Sequence, residues 1–155
     1  MSNANTIYQL EAMAAYEPDG FQDFTRYLKE TANKYFPADD LTIARINTSA
    51  KTDIKTNAGS KVVAIYVKTA SGATTTGYLQ LFNTSSASVT LGTTPPEEAI
   101  KLSNAANVAK VIRFWPGNGS TEYSAALSLA VTVTSAVNTT AQNATNAPVI
   151  LVAYA

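Results

Sequence analysis

At 155 residues, with 11 basic and 11 acidic side chains, the chain suits one domain with a real core and has no overall charge to draw it to nucleic acid or anionic membrane. Apolar residues make up 46% and charged ones only 14%, against roughly 25% charged in ordinary soluble domains, so the chain either is β-rich with neutral polar faces or hides surface in an assembly. Cys and His are both absent, which excludes disulfides, thiolate nucleophiles and Cys or His metal ligands and removes the usual general base.

The segment Ile7 to Tyr16, "IYQLEAMAAY", is Ala-rich with Ile7, Leu10 and Met13 at helical spacing. It reads as a short helix or as an arm ordered by a partner, and "EPDG" ends it. The opening "MSNANTIYQL" has neither a basic nor an apolar signal region, so no secretory signal is expected. No stretch approaches the ~20 apolar residues of a membrane span.

"FQDFTRYLKETANKYF" predicts a helix, with Phe21, Phe24, Leu28, Thr31 and Tyr35 forming one apolar stripe. Asp19 is placed to cap it, and Pro37 stops it. The boundary near residue 40 divides an N-terminal arm and helix (1–40) from a β-domain (41–155).

From Leu41 the period falls to two. "LTIARIN" sets Leu41, Ile43 and Arg45 on one side and Thr42, Ala44 and Ile46 on the other. "KVVAIYVKT" is rich in β-branched residues and predicts a central strand. "GYLQLFN" predicts the next, with Leu79 and Leu81 facing the core and Tyr78 and Phe82 opposite. "NTSS" reads as a turn, "ASVTL" as a further strand, and "GTTPP" as the end of pairing. "EEAIKL" reads as strand or short helix, and "VAKVIRFW" as a strand closed by "PGNGS". "LSLAVTVTSA" alternates, placing Leu127, Leu129, Val131 and Val133 inward and Ser128, Ala130, Thr132 and Thr134 outward. A polar loop, "VNTTAQNATNAP", leads to the last strand, "VILVAYA". Seven to nine punctuated strands after one helix predict a mainly β fold, a β-sandwich of the jelly-roll kind.

The stretches "SKVVAIYVKTASG", "YLQLFN", "VTLGTTPP", "IRFWPGNG", "LSLAVTVT" and "VILVAYA" occur in an order that resembles a small β-domain recurring among virion proteins of tailed bacteriophages, of the head-decoration kind. The resemblance covers about two-thirds of the chain. It departs at "STEYSAA", where the pattern has Phe–Ser–x–Gly, and it leaves out the N-terminal helix. It implies a non-enzymatic protein without cofactor that decorates or cements the capsid exterior after assembly in the host cytoplasm. The implied partners are the major capsid protein and further copies of the chain, as a homotrimer. The alternative reading is a fibre or receptor-binding module that recognises a host-surface glycan.

Candidate chemistry is sparse. Glu97 and Glu98 are adjacent and point apart, so they make no spaced carboxylate pair. Asp39–Asp40 lacks the series of oxygen ligands a Ca²⁺ loop requires, and "PGNGST" lacks the Gly-Lys-Ser/Thr ending of a phosphate loop. Lys61, Lys68 and Lys110 are formally available as bases for a hydroxyl nucleophile, with nothing to single one out. Trp115, Tyr66, Tyr78 and Phe82 could stack on sugar rings, although strand aromatics more often fill cores. No catalytic, metal or cofactor-binding residue is expected.

Charge is unevenly spread. Residues 1–40 carry seven acids and three bases, a net of −4, and the remainder carries eight bases and four acids, a net of +4. No charged side chain follows Glu122, and this uncharged end is expected to be buried between subunits. Ile7, Tyr8, Leu10, Met13 and Tyr16 of the acidic arm, with Trp115, are the expected capsid or subunit contacts.

Overall fold

The computed structural model describes Arg26, Leu28 and residues 41–56, 59–73, 76–114, 122–133 and 146–155. Within them lie nine strands: β1 (Thr42–Ile46), β2 (Thr52–Lys55), β3 (Ser60–Lys68), β4 (Tyr78–Phe82), β5 (Glu98–Lys101), β6 (Ala109–Arg113), β7 (Glu122–Tyr123), β8 (Leu127–Thr132) and β9 (Val149–Tyr154). One sheet has the order β1-β9-β3-β6, with β7 added beside β3, and the other has the order β2-β8-β4-β5. Every pairing is antiparallel.

Four of these pairings are nested. β1 pairs with β9, β2 with β8, β3 with β6 and β4 with β5. The chain is therefore one long hairpin whose turn lies between β4 and β5. Rolling that ribbon adds the pairings β3–β9 and β4–β8 and closes two facing sheets. This is the jelly-roll order, in agreement with the sandwich that the period-two segments predict.

Alternation places the core. Ile65, Val67, Ile150 and Val152 from the first sheet meet Leu79, Leu81, Leu127, Leu129 and Val131 from the second, all buried. Leu79 and Leu81 thus face inward as the sequence predicts. A bulge between Val62 and Ala64 of β3 inserts one residue against β9. It moves Val63 and Ala64 together onto the outer face, where they join Tyr66, Leu151 and Ala153.

That outer face is covered. Leu28 is helical and fully buried there, in one cluster with Leu41, Val63, Tyr66 and Leu151. The rest of the expected helix, 21–36, lies outside the described residues, as do Asp39–Asp40.

Several expectations are corrected. "ASVTL" is no strand: Ser86–Ser88 forms a single 3₁₀ turn and the chain runs on as a loop. "TDIK" carries no strand signal in the sequence yet forms β2, and Glu122–Tyr123 forms the short β7 beside β3. "EEAIKL" resolves as a strand. Val133 is 44% exposed, beyond the end of β8, so it does not face the core. Ser128, Ala130 and Thr132 do turn away from the core, yet all three are buried.

Charge follows strand position. The edge strands carry Arg45 on β1, Asp53 and Lys55 on β2, Glu98 and Lys101 on β5, and Lys110 and Arg113 on β6. β4, β8 and β9, each flanked on both sides, carry none, and β3, also flanked, carries lysines only near its ends, at Lys61 and Lys68. For β8 and β9 the missing charge is accounted for by burial within the sandwich itself, with no subunit contact required.

Replacing Leu28 with Ala removes a fully buried side chain from the outer face of the first sheet. The expected loss is about 2–5 kcal/mol of unfolding free energy, read from urea denaturation. An unchanged denaturation midpoint would contradict the contact.

Candidate functional site

Two features stand out from the scaffold: the hairpin turn between β4 and β5, and a cleft beside the connection from β5 to β6.

The turn leaves β4 at Phe82, folds back over the outer face of the second sheet, and returns where the Glu97 amide donates to the Leu81 carbonyl at 2.8 Å. Val89 and Leu91 pack on Phe82 and Ala130. This lid accounts for much of the burial of β8's outward face. The Ser128 hydroxyl donates to the Thr84 carbonyl at 2.7 Å. Asp53 accepts from the Ser86 amide at 2.7 Å and from its hydroxyl at 2.9 Å. The Lys51 ammonium donates to the Val89 carbonyl at 2.6 Å. Asn83 ties the start of the turn to the segment entering β8, accepting from the Ala125 amide at 2.9 Å. A tight turn at Thr90–Thr94 follows, with the Thr94 amide on the Thr90 carbonyl at 2.8 Å. Gly92 lies in its middle at φ 82°, a left-handed conformation that favours glycine. The Gly and Thr groups of "LGTTPP" are thus occupied in shaping the chain.

The cleft, of about 420 Å³, is lined by Val67, Thr69, Lys101, Leu102, Ser103, Val108, Ala109 and Lys110. It sits where the chain crosses from the edge of one sheet (β5) to the edge of the other (β6). Thr69 builds its wall. Its hydroxyl donates to the Ala105 carbonyl at 2.6 Å and accepts from the Val108 amide at 2.8 Å, and its own amide donates to the Val108 carbonyl at 2.9 Å. Asn107, at φ 57°, makes the left-handed step that brings Val108 back to β6. Lys101 and Lys110 are exposed, and no acid among the described residues lines the cleft.

The other candidates fall apart in space. Tyr66 is buried under Leu28 on the outer face of the first sheet, and Phe82 is buried under the turn on the opposite side of the sandwich. With Tyr78 half-buried near Phe82's face, these rings form no shared platform. Lys61 and Lys68 sit at opposite ends of β3. Lys110 alone of the three lysines reaches the cleft, joined by Lys101, which nothing in the sequence marked out. Ile7, Tyr8, Leu10, Met13, Tyr16 and Trp115 lie outside the described residues. Among the described residues, no three acidic side chains gather closely enough to hold a metal ion.

Glu97 and Glu98 do share one neighbour, Tyr123. Its phenol is fully buried beside the start of β3, with no hydrogen-bond partner among the described residues. Burial first, then the charges of Glu98 and Glu97, push its ionisation far above the ordinary phenol range. No family model, characterised protein or solved structure matches this chain.

Two outcomes are expected. Asp53→Ala frees the Ser86 amide, lowering stability by about 1 kcal/mol and raising hydrogen exchange at Ser86 and Val89 while the core amides stay protected. For Tyr123, the folded state favours the neutral phenol, so unfolding stability falls as pH rises above the unfolded value of about 10. Tyr123→Phe removes that alkaline loss and, with no hydrogen bond to lose, leaves stability at pH 7 unchanged or raised; denaturation at the two pH values checks this.

Proposed function

We propose that this chain is a non-enzymatic structural protein of a tailed-phage virion, one that decorates or cements the exterior of the capsid shell. The observation that carries this reading is where the resemblance motifs fall. "SKVVAIYVK", "YLQLF", "LSLAVT" and "VILVAY" supply β3, β4, β8 and β9, the interior strands of the two sheets. "VTLGTTPP" supplies the lid that seals the second sheet's outer face. The side chains that carry the family likeness therefore go to shape, and shape is what a cementing protein needs.

Its partners in this reading are the major capsid protein and two further copies of itself. Permanent assemblies of this kind bury roughly 2,000 Å² or more. The strand edges, each bearing charge, are poor surfaces for that purpose, and the outer sheet faces are already covered, so the contacts fall to loops and the N-terminal arm. The Ile7 to Tyr16 arm, with Glu11 and neighbouring Glu17 and Asp19, offers apolar side chains in an acidic setting for the shell. A glycan-binding fibre module is the weaker reading, because Tyr66 and Phe82 are buried on opposite sides of the sandwich.

The test uses expanded shells prepared without this protein. The purified chain is expected to run as a trimer, co-sediment saturably with those shells and raise the temperature at which they come apart. A monomer that leaves the shells unbound would sink the proposal.

A further inference from the structure

We infer that the cleft between the β5 and β6 edges takes an acidic, extended peptide segment, whose carboxylates meet Lys101 and Lys110. This goes beyond the shell reading and does not rest on it.

Four observations converge. First, β5 pairs only with β4 and β6 only with β3 among the described strands, so each presents one free edge on the same side of the sandwich. A free edge offers backbone donors and acceptors that an extended segment can pair with. Second, among the described residues the cleft's charge is of one sign: Lys101 and Lys110 line it and no carboxylate does. Third, its rim carries an exposed apolar side chain, with Leu102 and Val67 buried beneath it. Val108, 39% exposed, is one of two exposed large apolar side chains among the described residues. Together with Leu102, Val67 and Ala109 it forms an apolar wall beside the two ammonium groups. Fourth, the wall is fixed in place by the three Thr69 hydrogen bonds, so the cleft exists before any ligand arrives.

An extended peptide suits this arrangement because its side chains alternate. One residue can set a carboxylate against a lysine while the next lays an apolar side chain on Val108 and Leu102. Lysine, a compact charge on a flexible stem, can meet such carboxylates without a fixed fork geometry. Flat aromatic ligands are poorly served, since no aromatic ring among the described residues lines the cleft. Nucleic acid needs a longer run of basic side chains than two.

The experiment is a heteronuclear NMR titration of the isotope-labelled full chain with a blocked hexapeptide of alternating Glu and Val. Shifts are expected at the amides of Thr69, Ser103, Val108 and Lys110, with binding that weakens as salt is added. The same peptide with Gln in place of Glu, and the Lys101→Gln/Lys110→Gln double variant with the original peptide, should each bind about tenfold more weakly, the scale of two partly exposed ion pairs. Lys61→Gln, at the far end of β3, should bind as the unaltered chain does. If the double variant does not keep its amide spectrum, the single variants replace it, each expected to bind about threefold more weakly. Shifts that fall elsewhere, a Gln peptide that binds as tightly, or lysine variants that bind as tightly would overturn the inference, as would no binding at all.

Discussion

Everything in this fold depends on the nested pairing of a single rolled hairpin. Thr42 pairs with Tyr154, so the first and last strands lie side by side although nearly the whole β-domain separates them in sequence. Only at the β4–β5 turn do neighbours in sequence become neighbours in space. Each strand therefore has its partner fixed by distance from that turn, and a shift of one residue anywhere would turn apolar side chains out of the core. The two bulges, at Val62/Ala64 and at Asp53/Lys55, absorb the mismatch along the ribbon.

The same roll decides which surfaces are free. Rolling places β9 and β8 at the middle of their sheets and leaves β1, β2, β5 and β6 at the edges. It also requires the chain to cross between sheets at β5–β6, and that crossing, held by Thr69, creates the cleft. The hairpin turn has nowhere to go but back over the second sheet, where Val89 and Leu91 find Phe82 and Ala130. Scaffold and candidate site are thus consequences of one topology. The lysines of the cleft, by contrast, are not demanded by it.

Much of the fold was legible because period-two patterns report which face a side chain takes. Leu79, Leu81, Leu127 and Leu129 were placed inward on that ground and are buried in the inner core. The pattern cannot report what covers the other face. Ser128 and Thr132 look like solvent-facing residues until the rest of the chain lies over them. "TDIK" is too short and polar to read as a strand, and its pairing with β8 is set by the far end of the ribbon. "ASVTL" has strand-like residues, yet Asp53, from another strand, captures Ser86 and holds a turn there. For the uncharged end, nothing local in the sequence distinguishes a buried central strand from a buried interface. The cleft was illegible for a similar reason: Lys101 and Lys110 stand on strands of different sheets and meet only at the crossing.

The placement of charge on all four edge strands has a consequence for crowded copies of this chain. An uncharged edge would let neighbouring sheets join by backbone pairing and grow without limit. Here every edge carries charge that would have to be desolvated if another edge paired with it, and on β1 and β6 the charges, Arg45, Lys110 and Arg113, are all of one sign. Many copies can therefore be packed at high local density and stay separate molecules, each keeping its own sheets closed.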